Sequence, residues 1–167
     1  MVVVITALFV VFGSQVFAMD PDVMAKKVLC HTCLMEIYIA QANVKEATTE
    51  FNELFKLTPN DAALHFKYAN FLARNSKPDL AVPHFKLAAK LKPAVPEYQV
   101  GLGNTLMYAK DYSGAEAAYT KAIMLGGKSP EQLKQYQDLL QKAQQYEAQQ
   151  KQYEQYEKKI QQQKESE

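Results

Sequence analysis

The sequence predicts an all-α protein built as a short array of helical hairpins. Three observations carry this. Residues of matching type recur thirty-four positions apart through the middle of the chain. Within each copy the apolar residues fall three and four apart, the spacing of one face of a helix. Pro- or Gly-containing breaks close the copies at equivalent places.

The columns are specific. Ala47, Ala81 and Ala115 form one, and Phe51, Phe85 and Tyr119 form the next. Leu54, Ala88 and Ala122 follow, and Leu57, Leu91 and Leu125 end the same segment. Upstream, Met35 aligns with Ala69 and Gly103, and Tyr38 with Leu72 and Leu106. Pro59 and Pro93 share a terminal position at which Gly127 stands in the third copy. Many columns at one period are the signature of a repeat array, in which no single unit can bury its own apolar face and neighbours must stack. Small residues are predicted where two helices cross, with the aromatic column filling the space beside them.

The helix ends are legible in part. "LTPNDA" from Leu57 and "LKPAVPE" from Leu91 separate the copies. Asp20 followed by Pro21 reads as a cap and first helical residue. Ser113 with Glu116 reads as a capping box opening the second helix of the third copy. Pro83 falls early in the second helix of the middle copy, which predicts a start one or two residues late or a bend in the first turn.

These residues resemble the tetratricopeptide repeat (TPR) family, whose unit is a thirty-four-residue helical hairpin. The third copy, 96–129, is nearest to the family pattern through Leu102, Gly103, Leu106, Asp111, Tyr112, Ala115, Tyr119 and Ala122. The second, 62–95, keeps Ala69, Leu72, Ala81, Phe85, Ala88 and Pro93. The first, 28–61, is more degenerate, with Met35 for the usual small residue and Leu54 for an Ala. Leu133, Tyr136 and Leu140 fit a capping helix from 130. The resemblance implies a right-handed α–α superhelix of about three hairpins, plus the capping helix and a long C-terminal helix. The domain organisation read this way is a signal segment over 1–18, a repeat domain over 19–140, and a Gln-, Lys- and Glu-rich helical tail over 141–167.

The flanks carry their own signals. Residues 1–18 are uncharged, apolar over 2–12, and end in Val-Phe-Ala, the pattern of a signal peptide without its positively charged leader. Cleavage after Ala18 predicts a periplasmic or secreted protein of bacterial exported type. The alternatives are a membrane anchor retained uncleaved, or a cytoplasmic chain starting at Met19. In the tail, Leu139, Tyr146, Tyr153 and Ile160 fall seven apart, but Ala143, Gln150 and Glu157 make a weak second column. A coiled coil needs two. The tail therefore reads as one long exposed helix, with self-association through it as the lesser reading.

Composition narrows the function. A net charge of +1 over 167 residues gives no nucleic-acid footprint. Two Cys cannot form a disulfide framework. No catalytic constellation or phosphate loop is present, so the chain reads as non-catalytic and without cofactor or metal. Cys30 and Cys33 in "LCHTC" have redox-type spacing, but they fall well inside a predicted helix, away from the N-terminus that would activate them. Leu34 stands where c-type haem attachment needs His, and zinc would need further ligands. The plainer expectation is that both cysteines are packed or half-packed in the first repeat.

The resemblance implies binding of a protein or peptide on the concave surface formed by the first helices. Carried onto this chain, that surface includes Thr32, Glu36, Ile39, Phe66, Asn70, Arg74, Val100, Asn104 and Tyr108. Asn70 and Asn104 share a column, and an amide there offers donor and acceptor to a ligand backbone. Equally, both could be solvated polar residues on a helix. Some family members clamp a terminal carboxylate with Lys, Asn and Arg. Here Asn70 matches, but Phe66, Glu97 and Gly101 stand at the basic positions. Phe66 and Val100 point instead to an apolar ligand segment. The leading function is a scaffold that binds a partner and supports assembly of a complex, membrane-associated partners included. The alternatives are a permanent subunit of an envelope or extracellular assembly, and a thiol–disulfide protein using Cys30 and Cys33.

Overall fold

The computed structural model of the chain describes residues 20–126 and 129–165. Among these it contains seven α-helices and no strand: α1 (Pro21–Ala40), α2 (Val44–Leu57), α3 (Ala62–Arg74), α4 (Pro78–Leu91), α5 (Pro96–Tyr108), α6 (Tyr112–Leu125) and α7 (Pro130–Glu165). The fold class is the all-α hairpin repeat that the columns predict. The chain divides into two compact units, Met1–Pro59 and Asn60–Glu167. The signal segment read over 1–18 and the position of Gly127 lie outside the described residues. No helix among the described residues is long and apolar enough to cross a membrane.

The first unit holds one hairpin. Asp20 caps α1 by accepting from the Asp22 amide at 3.0 Å, with Pro21 at the first helical position as the sequence suggests. Met35 of α1 and Ala47, Phe51 and Leu54 of α2 are buried, and they form the hairpin's core. His31 Nδ1 meets Glu50 Oε2 at 2.6 Å and ties the two helices together by a polar contact.

In the second unit α4 packs on α3 and α5, and α6 on α5 and α7. Its core follows the columns. Ala81, Ala88, Ala115 and Ala122 have no exposed surface, and Phe85 and Tyr119 lie beside them almost wholly buried. The packing leaves no room for a side chain on α5 at Gly103. A Cβ there would sit 2.6 Å from Tyr119 Cε1, so the ring rests directly on the helix backbone. Tyr136 and Ala143 of α7 are buried and close the end of the stack.

The repeat also shows in the backbone, at positions that no side-chain column reveals. Ala42, Ser76 and Lys110, thirty-four apart, all have left-handed φ, at 55°, 56° and 61°. After each, the next amide reaches back five residues: Asn43 to Tyr38 O at 2.9 Å, Lys77 to Leu72 O at 3.0 Å, and Asp111 to Leu106 O at 2.9 Å. The left-handed residue itself donates to Ile39, Ala73 or Met107. This is one Schellman ending used three times, and it satisfies the last carbonyls of the first helix in each hairpin.

Three local expectations are corrected. α4 does not start late: it begins at Pro78 and runs through Pro83, whose exposed ring sits in the second turn. The carbonyl one turn before Pro83 belongs to exposed Asp79, so water can take the place of the missing amide. The cap of α6 is Asp111, whose Oδ1 accepts from the Gly114 amide at 2.9 Å. Ser113 lies inside the helix, and Glu116 accepts instead from Gln144 of α7 at 3.0 Å. The capping segment and the tail are one helix, with no break near residue 140.

Candidate partner-binding groove

Within the second unit the ends of α3 and α5 enclose an open groove of about 570 Å³. From α3 it is lined by Asn70, Ala73 and Arg74, from the following turn by Ser76, and from α5 by Gly101, Asn104, Thr105 and Tyr108. Four residues singled out from the sequence, Asn70, Arg74, Asn104 and Tyr108, therefore meet at one place. They do so because α3 and α5 pack side by side, so that residues thirty-four apart fall next to each other.

Phe66 and Val100 do not line this groove. Phe66 turns inward, its ring 4.8 Å from Tyr98 and 5.6 Å, edge-on, from Phe85. It forms the bed on which α5 lies. A Cβ at Gly101 would meet Phe85 Cε1 at 2.4 Å and Phe66 Cε2 at 3.0 Å. The missing side chain at Gly101 is thus a packing requirement, and it also opens the groove floor. The expectation of an apolar ligand segment rested on Phe66 and Val100 as free anchors. Phe66 is committed to the core, and Val100 is half-buried outside the groove.

The groove sets polar side chains in a surface that is more apolar than polar, and its formal charge is positive. Asn70 Nδ2 donates to Phe66 O in its own helix at 2.9 Å, which fixes the amide and leaves Oδ1 to face outward. Asn104 is held from the other side: Tyr119 Oη donates to its Oδ1 at 2.8 Å, so Nδ2 is the group offered to a ligand. Burial pushes the Tyr119 pKa up to about 12, which keeps the phenol a donor at any physiological pH. Arg74 is exposed and makes no ion pair among the described residues. Tyr108 is 83% exposed, an aromatic face left to water at the groove mouth. No Asp or Glu lines the groove.

Sequence reasoning missed one extension. A second depression of about 350 Å³ shares Asn104 and Tyr108 with the groove and continues to Leu139 and Lys142 of α7. Lys142, like Arg74, has no ion-pair partner among the described residues. Its place depends on α7 folding back against α6, which the columns do not encode.

The residues carried onto the first unit are placed separately. Thr32 is half-buried and donates to Val28 O at 2.7 Å, Glu36 is exposed, and Ile39 is half-buried. Cys30 and Cys33 are free thiols and both are exposed, not packed. The face of α1 that carries Met35 meets α2, and the cysteines fall on the opposite side with Leu29 and Ile37.

No family model and no curated protein matches the sequence. Solved structures do match the fold. The TPR2B domain of yeast Sti1, in its pHsp70 complex, has a TM-score of 0.63 at 18% identity, covering 72% of this chain and 98% of that one. The first TPR of Spaghetti (RPAP3), bound to the HSP90 peptide SRMEEVD, has a TM-score of 0.63 at 20% identity, covering 74% and 94%. SycD, a type III secretion translocator chaperone of Yersinia enterocolitica, has a TM-score of 0.64 at 14% identity, covering 81% and 92%. With the thirty-four-residue columns and the thrice-used helix ending, these likenesses establish that the chain has the fold of tetratricopeptide repeat domains.

Proposed function

We propose that the protein is a non-catalytic interaction scaffold that takes a segment of a partner protein into the groove between α3 and α5 and so supports assembly of a complex. The observation that carries this is the convergence of Asn70, Arg74, Asn104 and Tyr108 on one groove whose cation has no internal partner. A segment carrying carboxylates fits it. Arg74 and Lys142 would meet acidic side chains, the two amides would hold the ligand backbone, and Tyr108 would cover an aliphatic stem. The Sti1 and Spaghetti domains, titled as a complex and as peptide-bound, support peptide or protein binding as the class of function. The apolar, uncharged character of residues 1–18 supports export, with the work done in a periplasm or outside the cell. A second reading, a permanent subunit of an envelope or extracellular assembly, is favoured by the exposed Val23, Leu29 and Ile37 on α1.

The test is capture of partners from native membranes and periplasm by the chain from Met19, followed by calorimetry on the partner identified. Replacing Arg74 by Glu and Tyr108 by Ala together is expected to weaken binding at least tenfold, about 1.4 kcal/mol. Unchanged affinity in a folded double variant would move the site off this groove.

A further inference from the structure

The pair Cys30–Cys33 is left unused by the groove, and its geometry on α1 is that of a chelate. Three residues along an α-helix are about 300° of rotation and about 4.5 Å of rise, so the two side chains stand together on one face. Their Cβ atoms are neighbours at about 5–6 Å. Both thiols are free and exposed, so a ligand reaches them without any opening of the fold.

The surroundings limit what that ligand can be. His31 lies between the two in sequence, but it is turned to α2, where its Nδ1 meets Glu50 Oε2 at 2.6 Å. Among the described residues no group of three or more His, Cys, Asp or Glu is placed to hold a metal ion together. Tetrahedral zinc, which takes four ligands in structural sites and three in catalytic ones, finds no complete set. Two soft thiolates with no third His, Cys, Asp or Glu placed beside them among the described residues suit a soft d10 cation that accepts low coordination. Leu29 and Ile37 flank the pair and are 64% and 49% exposed, giving it an apolar rim. Lys27, one turn before Cys30, is exposed and adds a cation to balance the anionic dithiolate that binding would create.

We propose that Cys30 and Cys33 form a two-thiolate site for a soft monovalent cation of the Cu(I) class. In the binding step each thiol gives up its proton to solvent, and each sulfur donates an electron pair to the metal. The cation stays in its +1 state, two protons leave, and the bound unit carries one negative charge. No oxidant or reductant enters the step. The site lies in the first unit and does not depend on the groove reading.

The test is anaerobic titration of the purified, pre-reduced full chain with Cu(I) against a chromophoric Cu(I) chelator. Binding of one Cu(I) per chain, with an ultraviolet thiolate-to-copper charge-transfer band, is expected. Cys30→Ser and Cys33→Ser should each lower affinity at least a hundredfold, with circular dichroism unchanged because both residues are exposed. A register variant separates chelation from thiol count. Thr32→Cys combined with Cys33→Ser keeps two thiols but places them two residues apart, nearly on opposite sides of the helix, and it should bind as weakly as the single-Ser variants. Affinity within threefold of the native chain in either single variant or in the register variant overturns the proposal. So does Zn(II) displacing Cu(I) at equal concentration, or a copper stoichiometry of one per two chains.

Discussion

The Tyr119 hydroxyl on α6 donates a 2.8 Å hydrogen bond to Asn104 Oδ1 on α5. One residue thereby serves two levels of structure. Its ring lies against the bare backbone of Gly103 and belongs to the repeat's aromatic column. Its phenolic end orients an amide at the groove. The aromatic column has Phe in the first two copies and Tyr in the third, and the added oxygen falls where the groove is.

Replacing Tyr119 by Phe removes this bond while keeping the ring. Asn104 is exposed, so water can replace the lost donor. The cost in stability is expected to be about 0.5–1.5 kcal/mol, in the range of a single neutral hydrogen bond. Urea denaturation of Tyr119→Phe, Asn104→Ala and the double variant measures it as a cycle. Full additivity of the two single effects would mean that the bond contributes nothing in solution.

The three left-handed turn residues give a sharper prediction, because none of them is Gly. A side chain in that conformation costs about 1–2 kcal/mol, which Gly avoids. Gly loses part of this advantage through the greater entropy of its unfolded chain. Ser76→Gly and Lys110→Gly are each expected to stabilise the protein by about 0.5–1 kcal/mol, read as raised denaturation midpoints. Both residues are exposed, so no packing is disturbed. Loss of stability in both variants would contradict the left-handed assignment at these turns.

How much was legible follows from where information is stored. Ala81, Ala115, Phe85 and Tyr119 were readable as core because a tight crossing admits only certain sizes, and the same sizes recur every thirty-four residues. The left-handed turns were hidden because Ala, Ser and Lys occupy positions that announce themselves only when they are Gly. The cap of α6 was misread because Asp111 and Ser113 are both good capping residues, and only the preceding turn decides between them. Phe66 shares the register of Asn70 and Arg74, and what takes it from the groove is packing against Tyr98 and Phe85, a contact between helices that its column does not encode. Lys142 was invisible as a groove residue because its position depends on long-range packing of α7. The polar set Asn70, Arg74, Asn104 and Tyr108 was found because it keeps the repeat period.

A histidine pair gives the second unit a dependence on pH. His65 of α3 and His84 of α4 face each other with their Nδ1 atoms 3.0 Å apart and their rings stacked, and Tyr68 stands edge-on to His84. The His84 pKa is lowered from the ordinary 6.5, first by burial and then by the charge of His65. A lowered folded value means that the unfolded chain binds more protons below about pH 6.5. Stability is therefore full above that pH and falls as pH drops through 6.5 towards the folded value. Urea midpoints between pH 7.5 and 5 should decline, and His84→Gln should flatten the decline. A midpoint that stays level or rises as pH falls through this window would rule the effect out.

The long C-terminal helix runs from a packed part into a largely exposed part, and truncation should find the border. Tyr136 and Ala143 of α7 are buried, Tyr146 stacks on Tyr112 at 5.4 Å, and Gln144 bonds Glu116. From residue 148 to 159 every residue is exposed, Tyr153 and Tyr156 at 63% each. Among the described residues a chain stopped after Glu154 loses exposed helix and the half-buried Ile160, and its stability should match the full chain within about 0.5 kcal/mol. A chain stopped after Gln141 loses the Ala143 contact, the Tyr146 stack and the Gln144 bond together. Summing one buried methyl, one aromatic pair and one exposed hydrogen bond gives an expected loss of about 1–3 kcal/mol. Thermal melts of the three lengths at two protein concentrations test both halves. Should the Glu154 truncation prove destabilising, and the full chain melt higher at higher concentration, the exposed tyrosines would be covered by a second copy. The tail would then be the self-association element that its seven-residue spacing weakly suggests. Concentration-independent melts, with the loss confined to the Gln141 truncation, would leave α7 as the closing helix of the stack and its part beyond Glu154 without weight in the stability of the fold.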